Sequence, residues 1–433
     1  MDVRIDPKPL AGTVAAIPSK SMAHRLLILA ALCSGITDIE CQELSDDIKA
    51  TLRCLKGIGA PAMQTIRGLR MVPLTIGGAK AKAPIDVGES GSTLRFMLPI
   101  IAALGIEAEI TGHGRLSQRP LSPLDEQLAQ HGATLTGAGS FPLFIKGKLS
   151  PGLFELPGNV SSQFASGLLM AAPLLSGDVE IRVDEPVESR GYIDLTIAAL
   201  ETYGITVEQS KTTTPDGRRS QTFFVSKDQQ LTSPGACTVE GDWSNAAFWL
   251  CAGALQETPL TVSGLNPQSR QGDRAVMGAL SLLGARIGRS AGLVGASRDH
   301  LAGRSMDVSG IPDLVPPLAA VAALAQGTTR LENAGRLRLK ESDRLESVTQ
   351  AIRSMGGSAH VEGDDLIITG SKSLSGGTVD CANDHRIAMM ASICAANARG
   401  SSTICGAECV TKSYPGFFDD FRSLGGLATV VKE

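Results

Sequence analysis

Two kinds of helix-like segment alternate along the chain. In the first kind, apolar residues lie on one face and the segment ends at a glycine, with an apolar residue such as Leu55 four positions before it. A glycine in this place is typical of a helix C-terminal cap, and an apolar residue one turn earlier is typical of a face that packs on the core. The glycines recur every 69 to 80 residues and are Gly59, Gly132, Gly204, Gly284, Gly356 and Gly425.

Segments of the second kind are apolar on nearly every face, so they must be buried if they form helices. They are residues 26–33, 94–104, 164–175, 246–255, 314–325 and 387–395. Most are followed by a glycine and then by a strand-like run such as Val179 to Val183. One buried helix, one amphipathic helix and several strands therefore recur about every 72 residues, and six such units fill the chain.

The spacing of the units predicts two lobes of an α/β fold. The longest interval contains the polar stretch 208–234, and we place a domain boundary just after it, near residue 238. Six units then divide into three and three, with buried helices inside each lobe and amphipathic helices and sheets around them. An open solenoid is the alternative, but solenoid repeats usually have about 20 to 50 residues, which favours two closed lobes.

Composition narrows the class of protein. Hydrophobic residues make up 43% and charged residues 19%, which is typical of a globular core. The net charge of −4 and the 4% aromatic content argue against a nucleic acid or an anionic membrane as partner. The nine scattered cysteines form no CxxC pair, as expected of reduced cytosolic thiols. The apolar core of residues 26–33 is short for a signal peptide and far short of a membrane span, so we expect a soluble, cytoplasmic protein.

Polar turns rich in glycine and serine stand before each predicted buried helix. One such turn would be expected only to cap free helix N–H groups. Six buried helix starts, each carrying about half a positive charge, would together attract anions. Arg25, Arg95 and Arg386 directly border the apolar segments, and their guanidinium groups suit phosphate and carboxylate oxygens. We therefore expect small, multiply anionic substrates.

Acidic residues stand among these cations. Asp313 precedes an apolar run, so its carboxylate would be partly desolvated beside ionic groups, as proton transfer requires. Glu341 lies among charged neighbours and is a second candidate. For Asp343 and Asp384, helix capping or pairing with a cation is the favoured role. The sequence motifs of nucleotide-binding loops, zinc helices and serine hydrolases are absent, so no metal or cofactor is predicted.

Nine motifs between Pro18 and Phe418 resemble those of the 5-enolpyruvylshikimate-3-phosphate synthase family. They are Ser19-Lys20-Ser21 with Arg25, Ser90-Gly91-Ser92-Thr93-Leu94-Arg95, Gln118-Arg119-Pro120, Ser161-Ser162-Gln163, Gln271-Gly272-Asp273, Ile311-Pro312-Asp313, Lys340-Glu341-Ser342-Asp343-Arg344, Asn383-Asp384-His385-Arg386 and Lys412-Ser413-Tyr414-Pro415. The resemblance implies a two-lobed inside-out α/β barrel, with three βαβαββ units per lobe around buried parallel helices. It also implies that the N-terminal strand belongs to the C-terminal lobe, so that the lobes are residues 1–17 with 239–433, and residues 18–238.

The resemblance further implies transfer of the enolpyruvyl group of phosphoenolpyruvate to the 5-hydroxyl of shikimate 3-phosphate, with release of phosphate. Shikimate 3-phosphate would be held by Lys20, Ser21, Arg25, Ser161, Ser162, Gln163, Ser189, Tyr192, Asp313 and Lys340. Phosphoenolpyruvate would be held by Lys20, Gly91, Arg119, Gln163, Arg344, Arg386 and Lys412. Asp313 is the predicted base, and the remaining proton transfers would be divided among Glu341, Lys20 and Lys412. The division among these three stays open, and a monomer is expected.

The chain departs from the usual family pattern at four positions. Glu89, His24 and Arg336 stand where asparagine is common, and Ser92 stands where threonine is usual. Glu89 adds negative charge beside the predicted phosphoenolpyruvate loop. The strength of donor binding, and with it sensitivity to the inhibitor glyphosate, therefore stays open.

Two other functions compete with this one. UDP-N-acetylglucosamine 1-carboxyvinyltransferases share the fold and the donor, but they have Lys-Asn at the first motif and usually a cysteine five residues before the loop arginine. Here Ser21 follows Lys20, and Gly114 stands five residues before Arg119. A non-catalytic assembly protein built from the same repeats would have no need of the acids and cations described above.

Overall fold

The computed structural model describes residues 1–75, 81, 83–213, 217–290 and 292–432. The chain divides into two compact units. The terminal unit consists of Met1–Ser19 with Glu240–Glu433, and the middle unit consists of Lys20–Val239. Each unit contains its own hydrophobic core.

Twelve α-helices lie within the described residues. They are α1 (Lys20–Leu32), α2 (Asp46–Ile58), α3 (Gly91–Leu104), α4 (Leu124–Gln130), α5 (Ser162–Ala171), α6 (Arg190–Thr202), α7 (Trp243–Ala254), α8 (Val276–Leu282), α9 (Val315–Ala322), α10 (Arg344–Ser354), α11 (His385–Ala396) and α12 (Phe417–Ser423). Odd-numbered helices are buried, and even-numbered helices are amphipathic and lie nearer the surface. The prediction of two alternating helix series is confirmed.

Strands fill the intervals between these helices. The first twelve in the described ranges are β1 (Asp2–Asp6), β2 (Gly12–Ala15), β3 (Thr37–Glu40), β4 (Ala62–Gln64), β5 (Gly68–Met71), β6 (Ile85–Asp86), β7 (Ala108–Thr111), β8 (Ala133–Thr136), β9 (Leu143–Gly147), β10 (Gly152–Pro157), β11 (Val179–Asp184) and β12 (Glu208–Thr213). The others are β13 (Arg219–Val225), β14 (Ala236–Thr238), β15 (Leu260–Ser263), β16 (Arg286–Ser290), β17 (Leu293–Ser297), β18 (Ser305–Asp307), β19 (Thr328–Glu332), β20 (Ser358–Glu362), β21 (Asp365–Thr369), β22 (Thr378–Asp380), β23 (Ser402–Cys405) and β24 (Leu427–Lys432).

The described strands form six four-stranded sheets of one topology, three in each unit. In the sheet β10-β11-β13-β12, β10 runs parallel to β11, and the other two pairs are antiparallel. Val179, Ile181 and Val183 on β11 are buried and alternate with partly exposed residues, as expected of a strand with one face on the core. The same order of one parallel and two antiparallel pairs recurs in all six sheets. The predicted α/β fold of six βαβαββ repeats is confirmed.

Strands from distant parts of the chain complete the sheets. In the middle unit, β14 pairs in parallel with β3, so that Cys237 lies opposite Ile39. In the terminal unit, β2 pairs with β15, and β1 lies between β23 and β24. Residues 1–15 therefore contribute two strands to sheets formed by the C-terminal half.

Glycines end the amphipathic helices. The six glycines predicted as caps, from Gly59 to Gly425, all have positive φ, between 80° and 110°. At Gly59 the backbone N–H donates to the carbonyl oxygens of Leu55 and Lys56 at the end of α2. Only glycine adopts this left-handed conformation without a steric penalty, which explains the regular spacing of these residues. Across the residues described, no helix is long and apolar enough to cross a membrane.

Candidate active site

The starts of the buried helices α3 and α5 meet in the middle unit. The side-chain amide of Gln163, in the first turn of α5, donates from Nε2 to Ser92 Oγ at 2.9 Å. Its oxygen accepts from Arg95 Nη1, also at 2.9 Å, and Arg95 Nη2 donates to the carbonyl oxygen of Pro120. Ser161 caps α5 and accepts from the backbone N–H of Gln163. The structure thus brings together Ser161, Ser162 and Gln163 with the loop that carries Gly91.

Arg25, on α1, is a buried cation whose described hydrogen bonds all go to neutral groups. Its Nε donates to Thr196 Oγ1 at 2.7 Å, and its Nη2 donates to Ser166 Oγ and to the carbonyl oxygen of Tyr192. Its Nη1 donates to the carbonyl oxygen of Ser21 at 2.6 Å. Burial lowers the pKa of Arg25 to about 9. Arg25, Ser21 and Tyr192, all predicted to bind shikimate 3-phosphate, therefore lie together.

Lys20 begins α1 and forms an ion pair with Asp47 in the first turn of α2, with Nζ and Oδ2 2.8 Å apart. Behind this pair, Thr51 Oγ1 lies 2.7 Å from both His24 Nδ1 and Thr93 Oγ1. These three residues are fully buried. Burial, and then the charges of Lys20 and Arg25, hold the pKa of His24 well below its usual value. His24 is therefore a neutral structural link between α1 and α2 and, through Thr51, to α3.

Gly91 lies where a side chain would collide with arginine. A Cβ atom built on Gly91 would lie 2.6 Å from Arg119 Nη1 and 2.9 Å from Arg95 Nη1. Glu89, the departure from the family pattern, packs its carboxylate against Gly114, where φ is 63°. The absence of a side chain at Gly91 thus allows two guanidinium groups to approach the start of α3.

Ser189 lies in a loop beside the turn that precedes α5. It precedes α6 and adopts φ of 54°, which is uncommon for a residue with a side chain. The backbone N–H of Glu188 donates to the carbonyl oxygen of Gly158 at 3.0 Å and joins the two segments. A Cβ on Gly158 would lie 2.1 Å from the carbonyl oxygen of Asp184, so only glycine permits this close approach. Ser189 and Ser161 are therefore brought to neighbouring loops.

Asp313 is the centre of the cluster in the terminal unit. Its Oδ1 accepts from Lys340 Nζ at 3.2 Å and from Arg344 Nη1 at 2.8 Å. Its backbone carbonyl accepts from Arg386 Nη1 at 3.0 Å, and its Oδ2 lies 3.6 Å from Arg386 Nη2. The side chain is 14% exposed. The structure thus brings together four residues that the sequence analysis selected, around a carboxylate that is mostly removed from water.

Arg344 is held by three carboxylates. In addition to Asp313, Glu341 Oε2 accepts from its Nη2 at 2.6 Å, and Asp384 accepts from its Nε at 2.7 Å. Burial opposes the charge of Arg344, but the carboxylates outweigh it and raise its pKa above the usual value. Asp384 caps α11 and Asp343 caps α10, as predicted for both. Asp384 also pairs with Arg344, so both roles that the sequence analysis favoured for it are present.

Two lysines lie on segments beside this cluster. Burial lowers the pKa of Lys340 to about 8, although the charge of Asp313 opposes the shift. Lys412 ends a short 3-10 helix, Ala407–Lys412, and its Nζ donates to the carbonyl oxygen of Asn383 at 2.8 Å. Asn383, with φ of 54°, belongs to the loop that leads into α11 and Arg386. Lys412 is therefore tied to the segment that carries Arg386.

The starts of α7, α9 and α11 also meet in the terminal unit. Arg386 on α11 donates from Nη2 to Ser244 Oγ on α7 at 2.7 Å, and it contacts Asp313 just before α9. The meeting of three helix N-termini places positive dipole ends around the cluster. Ser244 and its neighbour Asp273 were not predicted as site residues, although Asp273 belongs to one of the nine motifs. In the sequence, Ser244 lies at the start of a predicted helix and Asp273 lies between predicted elements. Such positions indicate helix capping at most.

Similarity to known proteins identifies the family of this chain. The model of the family EPSP synthase (3-phosphoshikimate 1-carboxyvinyltransferase) matches residues 5–421. The chain belongs to this family. Two relatives named 3-phosphoshikimate 1-carboxyvinyltransferase, from Clostridium kluyveri and Clostridium acetobutylicum, are 42% and 40% identical, and each alignment covers 98% of this chain and 97% of the relative. The family resemblance inferred from the nine motifs is confirmed.

A solved structure supports the same assignment. EPSP synthase from Acinetobacter baumannii matches with a TM-score of 0.79 and 25% sequence identity, over 99% of this chain and 100% of that chain. The fold described above is thus shared with a solved structure of the family. The assignment of individual residues to the two substrates rests on motifs and on the geometry within each unit.

Proposed function

We propose that the chain transfers the enolpyruvyl group of phosphoenolpyruvate to the 5-hydroxyl of shikimate 3-phosphate, with release of phosphate. Carboxyvinyl transfer in the shikimate pathway is the activity of the family to which the chain belongs. The observation that carries the assignment of roles is the contact of Asp313 with Lys340, Arg344 and Arg386. The cluster places the candidate base, Asp313, in contact with three cations, and its side chain is mostly shielded from water.

We assign the donor to cations at helix starts. Arg119 and the backbone at Gly91 would bind it in the middle unit, and Arg344, Arg386 and Lys412 would bind it in the terminal unit. Phosphoenolpyruvate carries a phosphate and a carboxylate, and preorganised cations in a site shielded from water stabilise such charges best. The approach of Arg119 and Arg95 to the start of α3 supports this role.

We assign the acceptor to the hydroxyl-rich loops and their neighbours. Four residues lie at the adjacent starts of α5 and α6, where backbone N–H groups and hydroxyls favour a phosphate. They are Ser161, Ser162, Gln163 and Ser189. Lys20, Ser21, Arg25 and Tyr192 complete the set in the middle unit, and Asp313 and Lys340 complete it in the terminal unit. The neutral partners of Arg25 leave its positive charge uncompensated within its described bonds.

The proton transfers follow from the same geometry. Asp313 would take the proton of the 5-hydroxyl as the oxygen attacks C2 of phosphoenolpyruvate, and an acid would protonate C3 to give a tetrahedral intermediate. Loss of the C3 proton and cleavage of the C2–O bond to phosphate would then restore the double bond in the product. Lys340, Arg344 and Arg386 all contact Asp313 and hold it in a fixed position, as proton transfer by a general base requires. Glu341, Lys20 and Lys412 are the candidates for the remaining transfers.

The test is release of phosphate from phosphoenolpyruvate with shikimate 3-phosphate, compared with UDP-N-acetylglucosamine as acceptor. We expect turnover only with shikimate 3-phosphate. Asp313→Asn should lower kcat about 100-fold or more, as removal of a general base commonly does. Asp343→Asn is the matched control, since Asp343 caps an exposed helix start and should leave kcat unchanged. Turnover with the nucleotide sugar, or normal kcat in Asp313→Asn, would contradict the proposal.

We also propose that the enzyme acts as a cytoplasmic monomer. All nine cysteines lie in the described residues as free thiols, and seven of them are buried. A protein built this way suits a reducing compartment. Light scattering after size-exclusion chromatography tests the oligomeric state, and cell fractionation tests the location. A mass of two chains, or recovery with the membrane fraction, would contradict this part of the proposal.

A further inference from the structure

A hydroxyl and a buried carboxyl group lie behind Arg386. Ser244 Oγ accepts from Arg386 Nη2 at 2.7 Å. Ser244 also forms a hydrogen bond with the side chain of Asp273, which belongs to the short 3-10 helix Gly272–Ala275. Asp273 is only 4% exposed. Arg386, Ser244 and Asp273 therefore form a chain from cation through hydroxyl to carboxyl group.

The direction of the hydrogen bonds in this chain is set by chemistry. A serine hydroxyl has one proton to donate, and a guanidinium group can only donate. Because Ser244 Oγ accepts from Arg386, its own proton is left for the carboxylate of Asp273. Burial, followed by the charge of Asp313, raises the pKa of Asp273 to about 6, whereas Arg386 and the bond from Ser244 oppose that rise. Asp273 therefore interacts both with the hydroxyl of Ser244 and with the charge of Arg386.

Helix capping does not account for Ser244 and Asp273. Asp242 Oδ1 already accepts from the backbone N–H of Asn245 at 2.8 Å, and Gln271 Oε1 accepts from that of Trp243 at 3.0 Å. The start of α7 thus has two side-chain acceptors without them. Burial of a carboxylate is unfavourable unless it is compensated. A nearby cation that needs a fixed orientation supplies that compensation.

We infer that Ser244 and Asp273 are positioning residues, which hold Arg386 in the orientation that binds an anionic group of phosphoenolpyruvate. The inference rests on the proposed function, which assigns Arg386 to the donor. Arg344 donates directly to carboxylates, whereas Arg386 donates to the hydroxyl of Ser244, which in turn bonds Asp273. The bond from Nη2 to Ser244 fixes the direction in which the guanidinium group points.

The experiment compares Ser244→Ala, Asp273→Asn and the double variant with the wild-type chain. We expect each single variant to raise the KM for phosphoenolpyruvate about 5- to 10-fold, the effect of losing one ordinary hydrogen bond, because Arg386 keeps its contacts with Asp313. Ser244→Thr keeps the hydroxyl and should restore a KM close to the wild-type value. Binding of shikimate 3-phosphate without donor should change less than twofold, because Lys340 and Arg344 still hold Asp313.

The double variant tests whether the two residues act along one path. If Asp273 acts only through Ser244, the KM of the double variant should equal that of the worse single variant. If the fold-increases in KM of the two single variants multiply in the double variant, the inference is overturned. An unchanged KM in both single variants would also overturn it. A merely structural role would shift thermal unfolding and weaken both substrates equally, which would also overturn it. Absence of turnover in the wild-type chain would instead refute the proposed function, so the two failures are distinguishable.

Discussion

Arg25 and Arg95 in the middle unit differ from Arg344 in the terminal unit in the kind of partner that holds them. In the middle unit, the described bonds of Arg25 and Arg95 go to hydroxyls, an amide and backbone carbonyls. In the terminal unit, Arg344 is bound by the carboxylates of Asp313, Glu341 and Asp384. Neutral partners fix a guanidinium group without cancelling its charge, whereas carboxylates fix it and cancel the charge.

This contrast bears on the proposed roles of Arg25 and Arg344. A cation with neutral partners still attracts an anion, which suits the binding of phosphate and carboxylate groups. A cation held among carboxylates also fixes the positions of those carboxylates, one of which is the proposed base, Asp313. Burial lowers the pKa of Arg25 to about 9. It acts in the same direction on Arg344, but there the three acids outweigh it and the pKa is raised.

The largest effect should come from breaking the carboxylate framework. Asp384→Ala removes the fully buried partner of Arg344 and should lower the free energy of unfolding by about 3 to 5 kcal/mol. Asp343→Ala removes a cap of the same residue type at an exposed helix start and should cost about 1 kcal/mol. Urea denaturation measures both, and equal losses would show that Asp384 acts only as a cap.

Arg25→Lys tests how neutral hydrogen-bond partners affect a buried cation. The pKa of lysine starts about two units below that of arginine, so in these surroundings a lysine would lose its proton near pH 7. Affinity for shikimate 3-phosphate in Arg25→Lys should therefore fall as pH rises, by about 30-fold between pH 6 and pH 8.5. Arg344→Lys is the control, because its carboxylates would retain the charge. Calorimetric titrations that give parallel profiles for Arg25→Lys and the wild-type chain would refute this reading of Arg25.

A side chain at Gly91 would displace the guanidinium groups of the middle unit. Gly91→Ala should raise the KM for phosphoenolpyruvate about 10-fold, since one charge-assisted contact is lost or lengthened. Stability should change little, because the atoms displaced belong to the flexible end of Arg119. Gly278→Ala, at an exposed position of α8 with no atom near the new methyl group, should leave the KM alone and raise stability by up to about 1 kcal/mol. An unaltered KM in Gly91→Ala would remove Arg119 from the donor site.

The smallest effect concerns the ionisation of Lys340. Because burial lowers its pKa to about 8, the charged form is lost as pH rises through that value. Steady-state kcat/KM for shikimate 3-phosphate should therefore fall to about half at pH 8 and about tenfold for each further unit. Lys340→Arg should shift this decline to higher pH. A decline at the same pH in Lys340→Arg would assign it to another group.

The sequence predicted the repeat well, because its signals are local. Each cap glycine lies within four residues of the apolar position that it accompanies, and Gly59 and its counterparts needed no knowledge of the rest of the fold. The partners of the site residues could not be predicted in this way. Asp47 is 27 residues from Lys20, and Asp384 is 40 residues from Arg344, so both pairs depend on how helices pack.

Asp384 and Arg25 show that the partners of a site residue depend on tertiary packing. Local sequence predicted capping or pairing with a cation at Asp384, and the structure identifies the cation as Arg344, 40 residues away. Arg25 bordered an apolar helix and was selected for its charge, but the four internal hydrogen bonds that determine its behaviour come from α1, α5 and α6. A motif therefore identifies a candidate site residue, whereas tertiary packing determines the hydrogen-bond partners and the pKa of that residue.

The pairing of β1 with β23 and β24 has a consequence for the order in which the protein is made. Val3 lies opposite Ile404 and Val430, so this strand leaves the ribosome about 400 residues before its partners. At about 5 to 20 residues per second, β1 waits on the order of 20 to 80 s without them. The middle unit, from Lys20 to Val239, holds all of its own strands and can close during that interval. A nascent chain halted after residue 300 should accordingly protect residues 20–239 from proteolysis while β1, residues 2–6, is still cut.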